Sequence, residues 1–264
     1  MTPADRDAAA RDDAGRHDTG RGDDDGRHDT GHDTGRSDSR TARRTLVDGT
    51  PVTLVHVVRH GEVDNPERIL YGRLPGYHLS ERGHQMAQAT ADHLAARDIV
   101  YIASSPLERA QETAAPIAAA HGLDVALDDN LIESHNILEG LVVNGATLRA
   151  RWRHLLNPLR PSWGEPYRQV AARMQIALAE TLEHAEGHEG VMVSHQLPVW
   201  MLRRSIEGRR LVHHPRRREC SLASVTTVLF HGTFPVRVMY AEPAAHLLAG
   251  AVDVTGASRE AIPG

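Results

Sequence analysis

Two histidines and two arginines stand out in this chain because each follows closely on a short apolar run. Arg59-His60-Gly61-Glu62 comes directly after Leu54-Val-His-Val-Val58. Ser104-Ser105-Pro106-Leu107-Glu108-Arg109 follows Val100-Tyr-Ile-Ala103, and Ser194-His195 follows Val191-Met-Val193. Guanidinium groups match phosphoryl oxygens through paired hydrogen bonds, so two of them beside two imidazoles make a phosphoryl pocket. A carboxyl candidate, Glu133, sits in a later loop. Taken singly, His60 and His195 read equally well as polar caps, and Arg59 and Arg109 as surface partners of Glu62 and Glu108. His56, inside its apolar run, reads as a packing or hydrogen-bonding residue.

The elements that must position these residues follow from periodicity. Leu54–Val58, Val100–Ala103 and Val191–Val193 are apolar and rich in β-branched residues, as buried strands are; Val125–Leu127 is a shorter candidate. Ser80 caps a helix towards Arg97, with Met86, Ala87, Thr90 and Leu94 near helical spacing. Pro106 opens a second helix, which Gly122 closes. A long amphipathic helix lies between Glu165 and Glu186, with Val170, Met174, Ile176, Leu178 and Leu182 available to its buried side. Another helix runs from Gln196 to Ile206. Leu222–Phe230 and Val236–Tyr240 pair as a hairpin around His231-Gly232.

Strands alternating with helices predict an α/β fold, a three-layer sandwich with a mainly parallel central sheet flanked by helices. Ligands of such sheets sit beyond the carboxyl ends of the strands. Both arginines and both histidines lie there.

Composition bounds the function. The 264 residues contain 30 basic side chains, all arginine, against 35 acidic ones. Without a basic excess the chain is not expected to bind nucleic acid. The single cysteine, Cys220, provides no disulfide framework and no cysteine zinc site. With no apolar run near the roughly 18 residues that cross a bilayer, and no secretory signal, a soluble cytoplasmic protein is expected. Residues 1–44 hold no Leu, Ile, Val, Phe, Tyr or Trp, but 11 Asp and 9 Arg. Residues 1–45 therefore read as a disordered tail with weak His-Asp repeats, 46–245 as the folded domain and 246–264 as a C-terminal tail.

In combination and in order, four motifs resemble the histidine phosphatase superfamily, in the branch that includes the cofactor-dependent phosphoglycerate mutases. They are Arg-His-Gly-Glu at 59–62, Leu79-Ser80-x-x-Gly83, Ser-Ser-Pro-Leu-x-Arg-Ala at 104–110 with Thr113-Ala114, and Val193-Ser-His195. The resemblance implies a phosphoglycerate mutase-like fold, His60 as the nucleophile that becomes phosphorylated, and Arg59, Arg109 and His195 as phosphoryl-binding groups. It implies Glu133 as proton donor, with Glu139-Gly140 matching a later Glu-Gly pair. Asn65, one position earlier than the family's asparagine, is the expected further phosphate contact. Gln196 stands where the family has glycine, and Ser134–Leu138 lacks the usual Gly and Trp.

The implied reaction suits the residues. A neutral imidazole must attack phosphorus, and neighbouring arginine charges disfavour its protonated form. No metal and no cofactor is required, and the expected partner is a small-molecule phosphate ester. The 62 positions from Glu133 to His195 favour a phosphatase over a mutase, with phosphoryl transfer of the mutase type as the alternative. A phospho-ligand sensor is the second alternative, disfavoured by the complete set of site residues. Oligomeric state is not legible. An arginine-rich stretch at 203–204, 209–210 and 216–218 reads either as a solvated face paired with Glu207 and Glu219 or as an extension of the pocket. Residues 67–77 and 134–165 are expected to form the specificity walls, with Trp152, Trp163 and Tyr167 as aromatic candidates.

Overall fold

A computed structural model of the chain describes residues 43–142, 164–214 and 217–254. The 1–42 part of the expected tail, Trp152, Trp163 and residues 255–264 lie outside the described residues. Six strands form one sheet: β1 (Val52–Arg59), β2 (Ile99–Ser104), β3 (Ala126–Leu127), β4 (Glu189–Ser194), β5 (Val225–His231) and β6 (Phe234–Ala241). Their order is β3-β2-β4-β1-β5-β6, with β1 to β4 parallel and β5 and β6 antiparallel. Among the described residues four helices accompany them: α1 (Glu81–Leu94), α2 (Glu108–His121), α3 (Tyr167–His184) and α4 (Gln196–Ile206).

Alternation along the strands explains why the apolar runs are unbroken. Val55, Val57 and Met192 pack with Met174 and Leu178 of α3 and Val199 and Leu202 of α4. Val58, Val191 and Val193 point the other way, onto Ala91 and Leu94 of α1 and Ala114 and Ile117 of α2. A sheet covered on both faces needs apolar residues on both, which is the three-layer α/β sandwich expected.

Local signals acted largely as read. The Ser80 hydroxyl accepts a hydrogen bond from Gly83 N at 3.0 Å, capping α1, and Gly122 ends α2 at φ +66°. Four readings need correction. The second helix starts at Glu108 rather than Pro106, because the preceding residues form a turn in which Leu107 N approaches the Ser105 hydroxyl. Ile176 is exposed, not buried: Val170, Met174 and Leu178 recur every four residues on one side of α3, and Ile176 falls on the other. The fifth strand begins at Val225 rather than Leu222, since Ser221–Ser224 turn sharply, with Ala223 at φ +53°.

The domain limits also move. Arg44 already pairs with Glu189 at 2.6 Å, and Arg44 N bonds Gly187 O at 2.7 Å. Beyond position 245, Leu247, Leu248 and Ala251 pack on Met86 and Leu222, and Val252 N donates to Glu62. Apolar contact thus holds the first part of the presumed C-terminal tail against the domain.

Candidate active site

The carboxyl ends of β1, β2 and β4 bring Arg59, His60, Arg109 and His195 together, all buried. The backbone around His60 is pinned from several sides. His60 N bonds Ser194 O at 3.0 Å, Ala223 N bonds His60 O at 3.1 Å, and Gly61 N donates to Thr113 Oγ1 at 3.1 Å. Gly61 and Gly83 allow α1 to press on this loop. A Cβ on Gly61 would lie 2.6 Å from Gly83 O, and one on Gly83 would lie 2.0 Å from Glu62 O.

His60 Nδ1 lies 2.7 Å from the Gly61 carbonyl, an acceptor only, so Nδ1 carries the ring proton and Nε2 keeps its lone pair. Burial, then the charges of Arg109 and Arg59, hold the His60 pKa well below the ordinary imidazole value, although the Gly61 bond acts the other way. The ring is therefore neutral, with its Nε2 lone pair available. His195 stands 5.1 Å away, centroid to centroid, and its Nε2 contacts Ser105 Oγ at 2.8 Å. Ser105 Oγ also accepts from Leu107 N, and His195 Nδ1 is buried without a protein partner among the described residues. Burial and Arg109 depress the His195 pKa as well.

Arg109 donates Nη2 to Gly72 O at 2.6 Å and lies 4.6 Å over the Tyr71 ring. Its Nε and Nη1 are buried and have no hydrogen-bond partner among the described residues. Buried donors in native proteins are almost always satisfied. These two donors, near the His60 ring and with the His195 imidazole alongside, suit an oxyanion. Arg59 donates Nη1 to Cys220 O at 2.7 Å and grips Asp253. Burial works against its charge, but Asp253 outweighs it and raises the Arg59 pKa. The Cys220 thiol, pushed up to about 11 by burial, is no competing nucleophile at neutral pH.

Glu133 is buried, and its Oε1 accepts from Ser134 N at 2.7 Å and Ser134 Oγ at 3.2 Å. Arg73 holds its carbonyl at 2.6 Å. The carboxylate lies within electrostatic range of Tyr71 and Arg109. Glu139 approaches from the neighbouring turn, against Gly72, which carries φ +46° and has room for no Cβ there. Asn65 is tied to its own loop. Its amide donates to Ile69 O at 2.8 Å and accepts from Ile69 N at 3.0 Å, closing a loop. His56 is structural, bonding Glu189 at 2.7 Å and Thr227 at 2.8 Å.

Several contributors escaped the sequence. Tyr71, its pKa pushed up to about 12 by burial, sits in the 67–77 loop read as a wall. Ser105 belongs to a recognised motif whose hydroxyl had no assigned partner. Asp253 carried no signal at all. Among the described residues no group of three or more His, Cys, Asp or Glu could hold a metal. No described helix is long and apolar enough to cross a membrane. A cavity of about 520 Å³ opens at the opposite end of the sheet, beside Thr53, Leu178 and Phe230, away from this chemistry.

Comparison with known proteins agrees with this geometry. The model of the histidine phosphatase superfamily (branch 1) matches residues 55–242. An uncharacterized protein of Mycobacterium tuberculosis is 58% identical over 197 residues, covering 73% of this chain and 98% of that one. A probable phosphoglycerate mutase of an Enterobacter species is 34% identical over 184 residues, covering 65% and 83%. The solved mycobacterial glucosyl-3-phosphoglycerate phosphatase superposes with a TM-score of 0.59 at 27% identity, covering 72% and 98%.

Proposed function

This chain belongs to the histidine phosphatase superfamily, branch 1, and from that premise we propose that it is a phosphomonoesterase acting on a small phosphorylated metabolite. The observation that carries the reading is the His60 ring. Its proton is committed to Gly61 O, and the Arg109 donors and the His195 ring nitrogen that have no partner among the described residues lie close by.

In this reaction His60 Nε2 attacks phosphorus as the ester P–O bond breaks, and Glu133 gives its proton to the departing alkoxide. Arg59, Arg109 and His195 hold the phosphoryl oxygens, since this chemistry is mainly positioning and electrostatics. Water then attacks the phosphohistidine, its proton passes to the Glu133 carboxylate, the P–N bond breaks and inorganic phosphate leaves. No step passes through a metal or a cofactor. Asn65 contributes by shaping the loop beside the phosphoryl site. One relative bears the name probable phosphoglycerate mutase, which favours transfer to a second hydroxyl as the alternative.

The test is turnover of a panel of phosphorylated metabolites in excess chelator, with acid-labile phosphohistidine trapped by rapid quench. Unchanged rates with chelator and label on His60 support the reading. Activity lost to chelator and restored only by a divalent ion would overturn it, and equilibration of phosphoryl positions without phosphate release would identify a mutase.

A further inference from the structure

The arginine-rich stretch does not behave uniformly. Arg203 pairs with Glu207 at 3.1 Å and Glu219 at 3.0 Å, Arg209 pairs with Glu207 at 3.0 Å, and Arg204 Nε donates to Arg210 O at 2.6 Å. These form the solvated, mutually neutralised face. Arg218 turns inward instead. Its Nε donates to His213 Nε2 at 2.8 Å and its Nη1 to Gln196 Oε1 at 2.9 Å.

Both acceptors are uncharged. His213 Nδ1 contacts Leu211 O at 2.8 Å, a carbonyl that can only accept, so Nε2 is the bare acceptor that Arg218 uses. Burial lowers the His213 pKa to about 4, which keeps the ring neutral at working pH. Among the described residues no carboxylate forms an ion pair with Arg218, and Nη2 has no protein partner.

The place of this cation matters more than its charge. Gln196 directly follows His195, and Arg218 lies two residues before Cys220, whose carbonyl holds Arg59. The Arg218 charge acts on Glu133, Tyr167 and Arg59, and burial lowers its own pKa, as expected of a half-buried cation without a counter-ion. Desolvating an uncompensated charge is costly, and an anion brought by the ligand removes that cost.

Building on the phosphomonoesterase reading, we propose that Arg218 binds a second anionic group of the substrate, a carboxylate or a further phosphate, so that the site selects esters bearing a negative charge beyond the transferred phosphoryl group. His213 and Gln196 fix the guanidinium plane, and the free Nη2 edge meets the anion. Glu133, within electrostatic range of both Arg109 and Arg218, would then face the bridging portion of the substrate.

A matched pair of probes tests this. 3-Phosphoglycerate and glycerol 3-phosphate differ only in a carboxylate against a hydroxymethyl group; fructose 1,6-bisphosphate against fructose 6-phosphate supplies the phosphate arm. The full chain should favour the doubly anionic member of at least one pair by about 10- to 100-fold in kcat/KM. Arg218→Met should reduce that ratio to about threefold or less, and Arg218→Lys should keep part of it because the charge remains. A ratio that Arg218→Met leaves unmoved, including equal losses on both members, overturns the proposal, as does a full chain without preference in either pair. If Arg218→Met fails to fold, Gln196→Ala, which loosens the same guanidinium, must lower the ratio. Calorimetric Kd values for the same probes separate the two readings. A binding preference abolished by the variants, without turnover of any probe, would sink the phosphomonoesterase reading and sustain the second-anion site.

Discussion

Asp253 holds Arg59 through two parallel hydrogen bonds, Nη1 to Oδ2 at 2.9 Å and Nη2 to Oδ1 at 2.8 Å, across 194 positions of sequence. Arg59 is wholly buried and the Asp253 side chain is only 10% exposed, so the pair lies in a weakly screening environment. Removing one partner of a buried pair leaves the other charge uncompensated, at a cost of about 3–5 kcal/mol. Asp253→Asn should therefore lower Tm markedly. Inorganic phosphate, an anion that can take up the released guanidinium, should raise the variant's Tm by more than it raises the wild type's. Equal phosphate effects on the two proteins would show that the carboxylate and the phosphoryl group do not share Arg59.

In the proposed reaction His60 and Glu133 divide the work between them, and substitutions test their roles. His60→Ala removes the phosphoryl acceptor, so turnover should fall to background on every ester. Glu133→Gln leaves the nucleophile and the arginines in place, and its loss should be on the order of 10²–10⁴-fold for alkyl esters. Aryl phosphates, whose leaving groups need less protonation, should show a smaller deficit. A normal rate in Glu133→Gln with a large loss in Glu139→Gln would move the acid to Glu139, whose carboxylate also lies at the Gly72 turn.

Protonation offers an independent check. Burial with Arg109 holds the pKa values of His60 and His195 well below the ordinary imidazole value near 6.5. Between those depressed values and 6.5 the unfolded chain binds more protons than the folded one, so this contribution lowers stability as pH falls below about 6.5. Imidazole C–H resonances, assigned with His60→Ala and His195→Ala, should stay in the neutral position through pH 6. Either ring titrating at 6.5 or above would contradict the neutral-nucleophile argument.

The junction between α1 and the His60 loop should tolerate no side chain. A Cβ at Gly83 would meet Glu62 O at 2.0 Å, and backbone cannot yield as a flexible side chain does. Gly83→Ala should destabilise the fold by about 1–3 kcal/mol, the usual range for overpacking, and should reduce turnover by displacing Gly61. Thermal melts with parallel kinetics measure both. An unaltered melt would mean that the loop and helix can separate without consequence.

Much of this architecture was legible because the relevant signals are local. Apolar runs of β-branched residues marked β1, β2 and β4. Ser80 and Gly122 marked helix ends, and the residues next to the strands had to lie at their carboxyl ends whatever the details of packing. That sufficed to gather Arg59, His60, Arg109 and His195 at one edge of the sheet. Helical spacing misplaced Ile176 because an apolar residue at roughly the right interval does not reveal which side of α3 meets the sheet.

What the sequence determined by itself was therefore the order of strands and helices and the four groups at the sheet edge. Which nitrogen of His60 carries its proton depends on the Gly61 carbonyl, and His195 meets the Ser105 hydroxyl; both are contacts of folded geometry. The tie between the Asn65 amide and Ile69 is likewise a contact of folded geometry. Asp253 on Arg59 and Arg218 beside Gln196 were decided only by tertiary structure. Periodicity encodes how a segment folds on its neighbours, whereas the pairing of charges from distant segments exists only once burial has removed water and left each charge the partners that the packed chain supplies.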